Sequence, residues 1–117
     1  MTRRVVSLAL LFLLIAPASV RAGGNQAVPL ADVTVTNAAG GIQVEAARAD
    51  RVALVCTNSN ATVHVRWGSA TTGANSPTTS RGVQHRATST ITITWKAAAV
   101  AISEGADVTM TCTSERE

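Results

Sequence analysis

The stretch "VALVCTNSNATVHVRW", residues 52–67, alternates apolar and polar residues on both sides of a short polar break. Alternation of period two marks half-buried β-strands, and Asn and Ser in the break mark a turn. With Ser59-Asn60 as a two-residue turn, Cys56 opposes Val63, Leu54 opposes Val65 and Val52 opposes Trp67. All six then share one face, leaving Ala53, Val55, Thr57, Thr62, His64 and Arg66 on the other. The cysteine therefore points inward. Its partner must be found elsewhere in the chain.

Cys56 and Cys112 are the two cysteines of the sequence. Cys112 lies in Val108-Thr109-Met110-Thr111-Cys112-Thr113, another alternating run, after the break Glu104-Gly105-Ala106. Read as a three-residue hairpin loop, that break sets Ile102 against Val108, Val100 against Met110 and Ala98 against Cys112, again on one apolar face. Both cysteines face inward in a chain expected to be exported, so they are expected to pair as a disulfide. Closing so long a loop is worth on the order of 4 kcal/mol in the chain-entropy model. A catalytic redox pair would require C-x-x-C spacing, which is missing.

Export is expected from the amino terminus. Arg3 and Arg4 precede an apolar run from Val5 to Ala16, and Val20-Arg21-Ala22 offers a cut before Gly23. Residues 1–22 thus read as a secretory signal peptide. The apolar run is well short of the ~20 residues needed to cross a bilayer. Removal of Arg3, Arg4 and Arg21 leaves seven basic residues against seven acidic ones. The full chain's charge of +3 is therefore no argument for nucleic acid or anionic lipid. No membrane insertion is expected after the leader is gone, and the expected location is secreted or periplasmic. About 95 residues remain, enough for one domain with a modest core. Residues 23–31 read as a flexible arm, 32–114 as the domain and 115–117 as a frayed end.

The other alternating runs are Val33-Thr34-Val35-Thr36, Ile42-Gln43-Val44-Glu45 and Ile91-Thr92-Ile93-Thr94-Trp95. Threonine occupies most of their polar positions, where its β-branch favours strand. The segment at residues 96–102, "KAAAVAI", is rich in alanine but reads as strand between strands. About seven or eight short strands without a helix predict an all-β antiparallel sandwich or flattened barrel.

Little of the sequence resembles a catalytic centre. His64 and His85 are far apart, and two histidines with two committed cysteines do not make a metal-ligand spacing. Serine is abundant, yet no G-x-S-x-G elbow occurs. Asp50, Glu104 and Asp107 lie near turns, where acids are ordinary. No cofactor, metal or enzymatic activity is expected. Asn60-Ala61-Thr62 matches a glycosylation acceptor, and asparagine in a tight turn explains it equally well. The candidate binding residues are His64 and Arg66 on a strand face, with Asn75, Ser76, Thr78, Thr79 and Arg81 in the polar connection from Gly68 to Arg81. So long a connection in a compact domain is expected to bind something or to be mobile.

The pieces Arg51-Val52-Ala53-Leu54-Val55 with Asn58, Val63-His64-Val65-Arg66-Trp67-Gly68, Gly82, and Val100 to Val108 resemble a small β-domain of phage structural proteins, the head-decoration and fibre-base type. That resemblance covers about two-thirds of the chain beyond the leader. It implies a non-catalytic structural module whose partner is a protein, particle or envelope surface, self-association included. The spacing Cys56…Trp67…Cys112 is also similar to immunoglobulin-type packing, in which Trp rests on an inter-sheet bridge. Met110 stands where that fold has a tyrosine. An alternative expectation is a soluble ligand- or carbohydrate-binding domain that uses the 68–81 loop.

Overall fold

The computed structural model describes residues 25–117; the expected leader lies outside them. Nine strands form two antiparallel sheets. They are β1 (Gln26–Pro29), β2 (Val33–Val35), β3 (Ile42–Glu45), β4 (Arg51–Asn58), β5 (Val65–Gly68), β6 (Val83–His85), β7 (Ser89–Ile93), β8 (Ala99–Ser103) and β9 (Val108–Arg116). One sheet runs β1-β9-β4-β7, with β2 also on β9; the other runs β3-β8-β5-β6. The all-β sandwich predicted from period-two alternation is thus the observed architecture.

Neither predicted hairpin forms. β4 pairs with β7 and β9, while β5 pairs with β6 and β8 in the opposite sheet. β8 and β9 are likewise separated into different sheets. The segments after β4 and β8 are corners that carry the chain from one sheet to the other. At the first corner, the buried side chain of Asn58 donates to Val63 O (3.0 Å) and Arg86 O (3.4 Å) and accepts from Asn60 N–H (3.0 Å). Asn60 Oδ1 in turn accepts from the N–H groups of Thr62 and Val63. These side chains satisfy a corner backbone that has no ladder partner. This bonding also gives Asn60 a structural reason for its place in the acceptor pattern.

Between the sheets, Val35, Leu54, Cys56, Ile93, Val108, Met110 and Cys112 meet Val65, Trp67, Ala99 and Ala101. Cys56 and Cys112 are bonded, and they sit directly opposite one another on β4 and β9. The bridge therefore ties neighbouring strands of one sheet. The immunoglobulin analogy fails here, because in that fold the bridge spans the sheets. A disulfide places the domain in an oxidising compartment.

β8 shows its faces reversed from the hairpin expectation. Ala99 and Ala101 point to the disulfide core, while Val100 and Ile102 are buried on the outer side of their sheet. Size decides this. Trp67 is the register neighbour of Ala101, so the bulky indole sits beside a small side chain. The outer side of β8 is covered by the Gly40-Gly41 turn and by the loop carrying Pro77. At Gly41 the φ is 72°, and a Cβ would lie 2.7 Å from Ala101 O, so only glycine lets the turn approach this closely.

The segments expected to be loose belong to the sheet. β1, within the 23–31 arm, pairs with β9 through Gln26↔Arg116 to Pro29↔Thr113. Glu115 and Arg116, within the expected frayed end, are in register with both β1 and β4. Main-chain bonding to a central strand orders each of them.

Replacing both cysteines by alanine should destabilise the domain by on the order of 4 kcal/mol, read as a lower urea midpoint. Thiol titration of denatured, unreduced protein should find no free group.

Candidate functional site

The 68–81 loop is built as a fixed cover. Arg81, itself exposed, ties it together: Nε and Nη2 donate to Ser76 O (3.1 and 2.9 Å), and Nη2 also reaches Gly73 O (3.2 Å). Ser76 Oγ donates to Gly73 O at 2.8 Å. Asn75 O accepts from the N–H groups of Ser69 and Ala70. Thr78 and Arg81 exchange two backbone bonds around a tight turn, and Thr78 Oγ1 accepts from Ser80 N–H. The loop returns at Gly82, whose φ is 118° and where a Cβ would fall 2.6 Å from Trp67 O. Among the loop residues expected to bind, Ser76, Thr78 and Arg81 thus have their polar groups engaged within the loop, as does the Asn75 backbone. Thr79 is exposed.

A cleft of about 420 Å³ opens beside this loop. Ala74, Asn75, Ser76 and Arg81 form one wall, and Val83, Trp95 and Ala97 form the other. Trp95 is only half-buried, with Nε1 donating to Ala98 O at 3.1 Å. Val83 is the exposed large hydrophobic of the described residues, at 49% exposure. Period two marks neither as a site residue, because the cleft arises where strand ends from both sheets meet the loop.

The two histidines are anchored to different partners. His85 is 1% exposed. Its Nδ1 accepts from Trp67 Nε1–H at 3.2 Å, so Nε2 carries the proton and donates to Ser89 O at 2.9 Å. Burial lowers its pKa, only partly opposed by the Ser89 bond. His64 Nδ1 accepts from Ala87 N–H at 2.8 Å. Arg66 lies with its Nε 3.2 Å from Glu104 Oε2, without the alignment of a hydrogen bond, and its Nη1 donates to Gly82 O. Gln84 donates to the same Glu104 oxygen at 3.1 Å. Among the described residues, no group of three or more His, Cys, Asp or Glu side chains lies together as a metal would require.

At one end of the sandwich an ionic cluster crosses between the sheets. Glu45 of β3 accepts from Arg51 Nη1 (2.9 Å), Arg116 Nη2 (2.8 Å) and Ser114 Oγ (3.0 Å). Arg51, 1% exposed, also donates to the carbonyls of Ala46, Trp95 and Ala97. Burial opposes ionisation of Glu45, but hydrogen bonds from Arg116, Arg51 and Ser114 together outweigh it and lower the pKa. Both Glu45 oxygens are bonded across the sheets, which identifies a clamp between them, while Arg51 Nε is buried without a partner. Nothing in the sequence marks Glu45, which reads there as the wet end of a strand.

The outer face of the five-stranded sheet carries rows of mostly exposed threonines. Register aligns Thr111, Thr57 and Thr90 in one row, Thr113, Val55 and Thr92 in the next, and Thr109 beside Thr34. Strand geometry spaces such positions about 4.8 Å across the strands and about 7 Å along them. Thr57 and Thr90 hydroxyls are 3.0 Å apart, and Thr111 donates to Asp32 at the rim. Along β9, charge enters this face only at Glu115. In comparison with known proteins, the chain matches no family model, no curated protein and no solved structure.

Two outcomes follow from this geometry. R81A should leave the fold intact, cost about 1 kcal/mol, and raise amide exchange selectively at Ser69, Ala70 and Ser76. Acidification should destabilise the domain in two steps. A lowered His85 pKa removes stability as pH falls below about 6.5, and a lowered Glu45 pKa removes more below about 4.3. Urea midpoints against pH should show both steps, with the lower one absent in E45Q.

Proposed function

We propose that the chain is a non-catalytic, exported structural or adhesion module that docks through its threonine face. The regular threonine rows on a disulfide-braced sheet, with charge confined to Glu115 and the rim at Asp32, carry this reading. Most polar side chains on the opposite sheet and its loop are engaged internally, whereas those on the threonine face are directed outward. Short hydroxyls beside methyl groups suit a flat protein, particle or envelope surface, because they lose little conformational freedom on contact. The resemblance to phage decoration and fibre-base domains supports the same role. The expected leader, together with the disulfide, supports secretion or a periplasmic location.

The cleft favours a second reading, recognition of a soluble ligand or carbohydrate. Trp95 offers an aromatic edge, Val83 an apolar wall, and Arg81 and Asn75 adjacent polar groups. Of the two tryptophans, Trp67 is committed to the core and Trp95 is accessible in part.

The two readings separate experimentally. T57K/T111K should abolish co-sedimentation with the cognate particle or envelope fraction while changing stability by less than about 0.5 kcal/mol. Retained co-sedimentation would remove the threonine face from consideration. W95A should leave that binding unchanged; loss of a glycan-array signal in W95A alone would favour the cleft.

A further inference from the structure

The marginal strands differ in how they resist further pairing. β1 ends in Pro29 and shares its side of β9 with β2. β3 has a register break between Gln43 and Glu45. β6 is three residues long. Proline, bulges, charge and brevity are the means by which sheet edges avoid uncontrolled association. β7 has none of them. It runs Ser-Thr-Ile-Thr-Ile over five residues, uncharged, with unbroken register against β4.

The ladder also shows which groups of β7 are free. Cys56 and Cys112 face one another with Cα atoms 4.1 Å apart, the close spacing of a non-hydrogen-bonded antiparallel pair. Cys56 therefore directs its N–H and C=O away from β9, towards Ile91 on β7. By alternation, Thr90 and Thr92 turn their main-chain groups away from β4 and towards the open edge. Among the described residues, no other backbone hydrogen bond reaches them.

We propose that β7 pairs antiparallel with β7 of a second copy, about a twofold axis at Ile91. An isologous contact needs a surface complementary to itself, and this strand meets that condition. Rotation about Ile91 sets Thr90 opposite Thr92 of the copy, and both have outward-directed groups, so each such pair exchanges both hydrogen bonds. Ile91 meets its own copy at a non-hydrogen-bonded position, where side chains approach most closely. The side chain is half-buried in one chain and gains apolar cover in two. No charge on either strand opposes the contact. The result is one continuous sheet whose threonine rows run across both copies. This extends the docking face proposed above without depending on it, because self-association is read from mass and docking from co-sedimentation.

Sedimentation equilibrium over a concentration series tests the pairing. The unmodified domain should reach the mass of a dimer. T90K/T92K sets like charges opposite one another across the axis and should halve the mass. T90K/T92E sets opposite charges there and should restore the dimer. T92P should also give monomer with the fold retained, since the missing N–H is the one facing the edge. Circular dichroism and the intact disulfide serve as the check on folding. A monomer at every concentration, a dimer that persists in T90K/T92K, or a folded T90K/T92E that stays monomeric would overturn the proposal.

Discussion

The bond between Cys56 and Cys112 joins the two longest strands of the domain, and these are adjacent at the centre of one sheet. β1, β2 and β7 all pair directly with one or the other. The chain between the cysteines contains β5 to β8, and therefore all of the second sheet except β3. A staple at this position shortens the unfolded search for the long-range β4–β9 pairing. It matters most in a small domain, whose buried area alone leaves a narrow margin of stability.

The covalent tie works within a sheet, so another interaction must hold the sheets to each other. Part of that is apolar: Trp67 fills the space opposite the disulfide, beside the alanines of β8. The rest is the Glu45 cluster, where a carboxylate from one sheet meets two guanidinium groups from the other. Desolvation makes such a cluster costly unless it is fully bonded, and here each carboxylate oxygen has a partner. The Trp67–His85 hydrogen bond follows the same rule on a smaller scale. In both, the acceptor is fully bonded, while Arg51 Nε stays buried without a partner.

The 68–81 loop lies beside Ile102 on the outer side of β8, and the Gly40-Gly41 turn lies over Val100. The loop's cleft against Trp95 arises where it meets Val83 and Ala97. Among the described residues, the opposite sheet carries its threonine rows on a largely exposed outer face. One sheet face is thus partly covered and the other largely exposed.

Period-two alternation, the paired inward cysteines and the threonine-rich wet positions were legible in the residues, because each is a local or compositional property. Strand partners were not. A short polar break is compatible with a hairpin or with a corner between sheets, and the side chains of Asn58 and Asn60 settle the matter through bonds to Val63, Thr62 and Arg86. The orientation of β8 was equally hidden, since Ala99-Val100-Ala101-Ile102 is apolar on both faces; only the bulk of Trp67 next door selects the alanines for the core. The cleft and the Glu45 clamp depend on residues far apart in sequence, and chain folding alone brings them together. Sequence by itself determined which residues alternate and which sulfurs were available, while tertiary packing decided which strands meet, because pairing depends on volume and hydrogen-bond satisfaction across the whole domain.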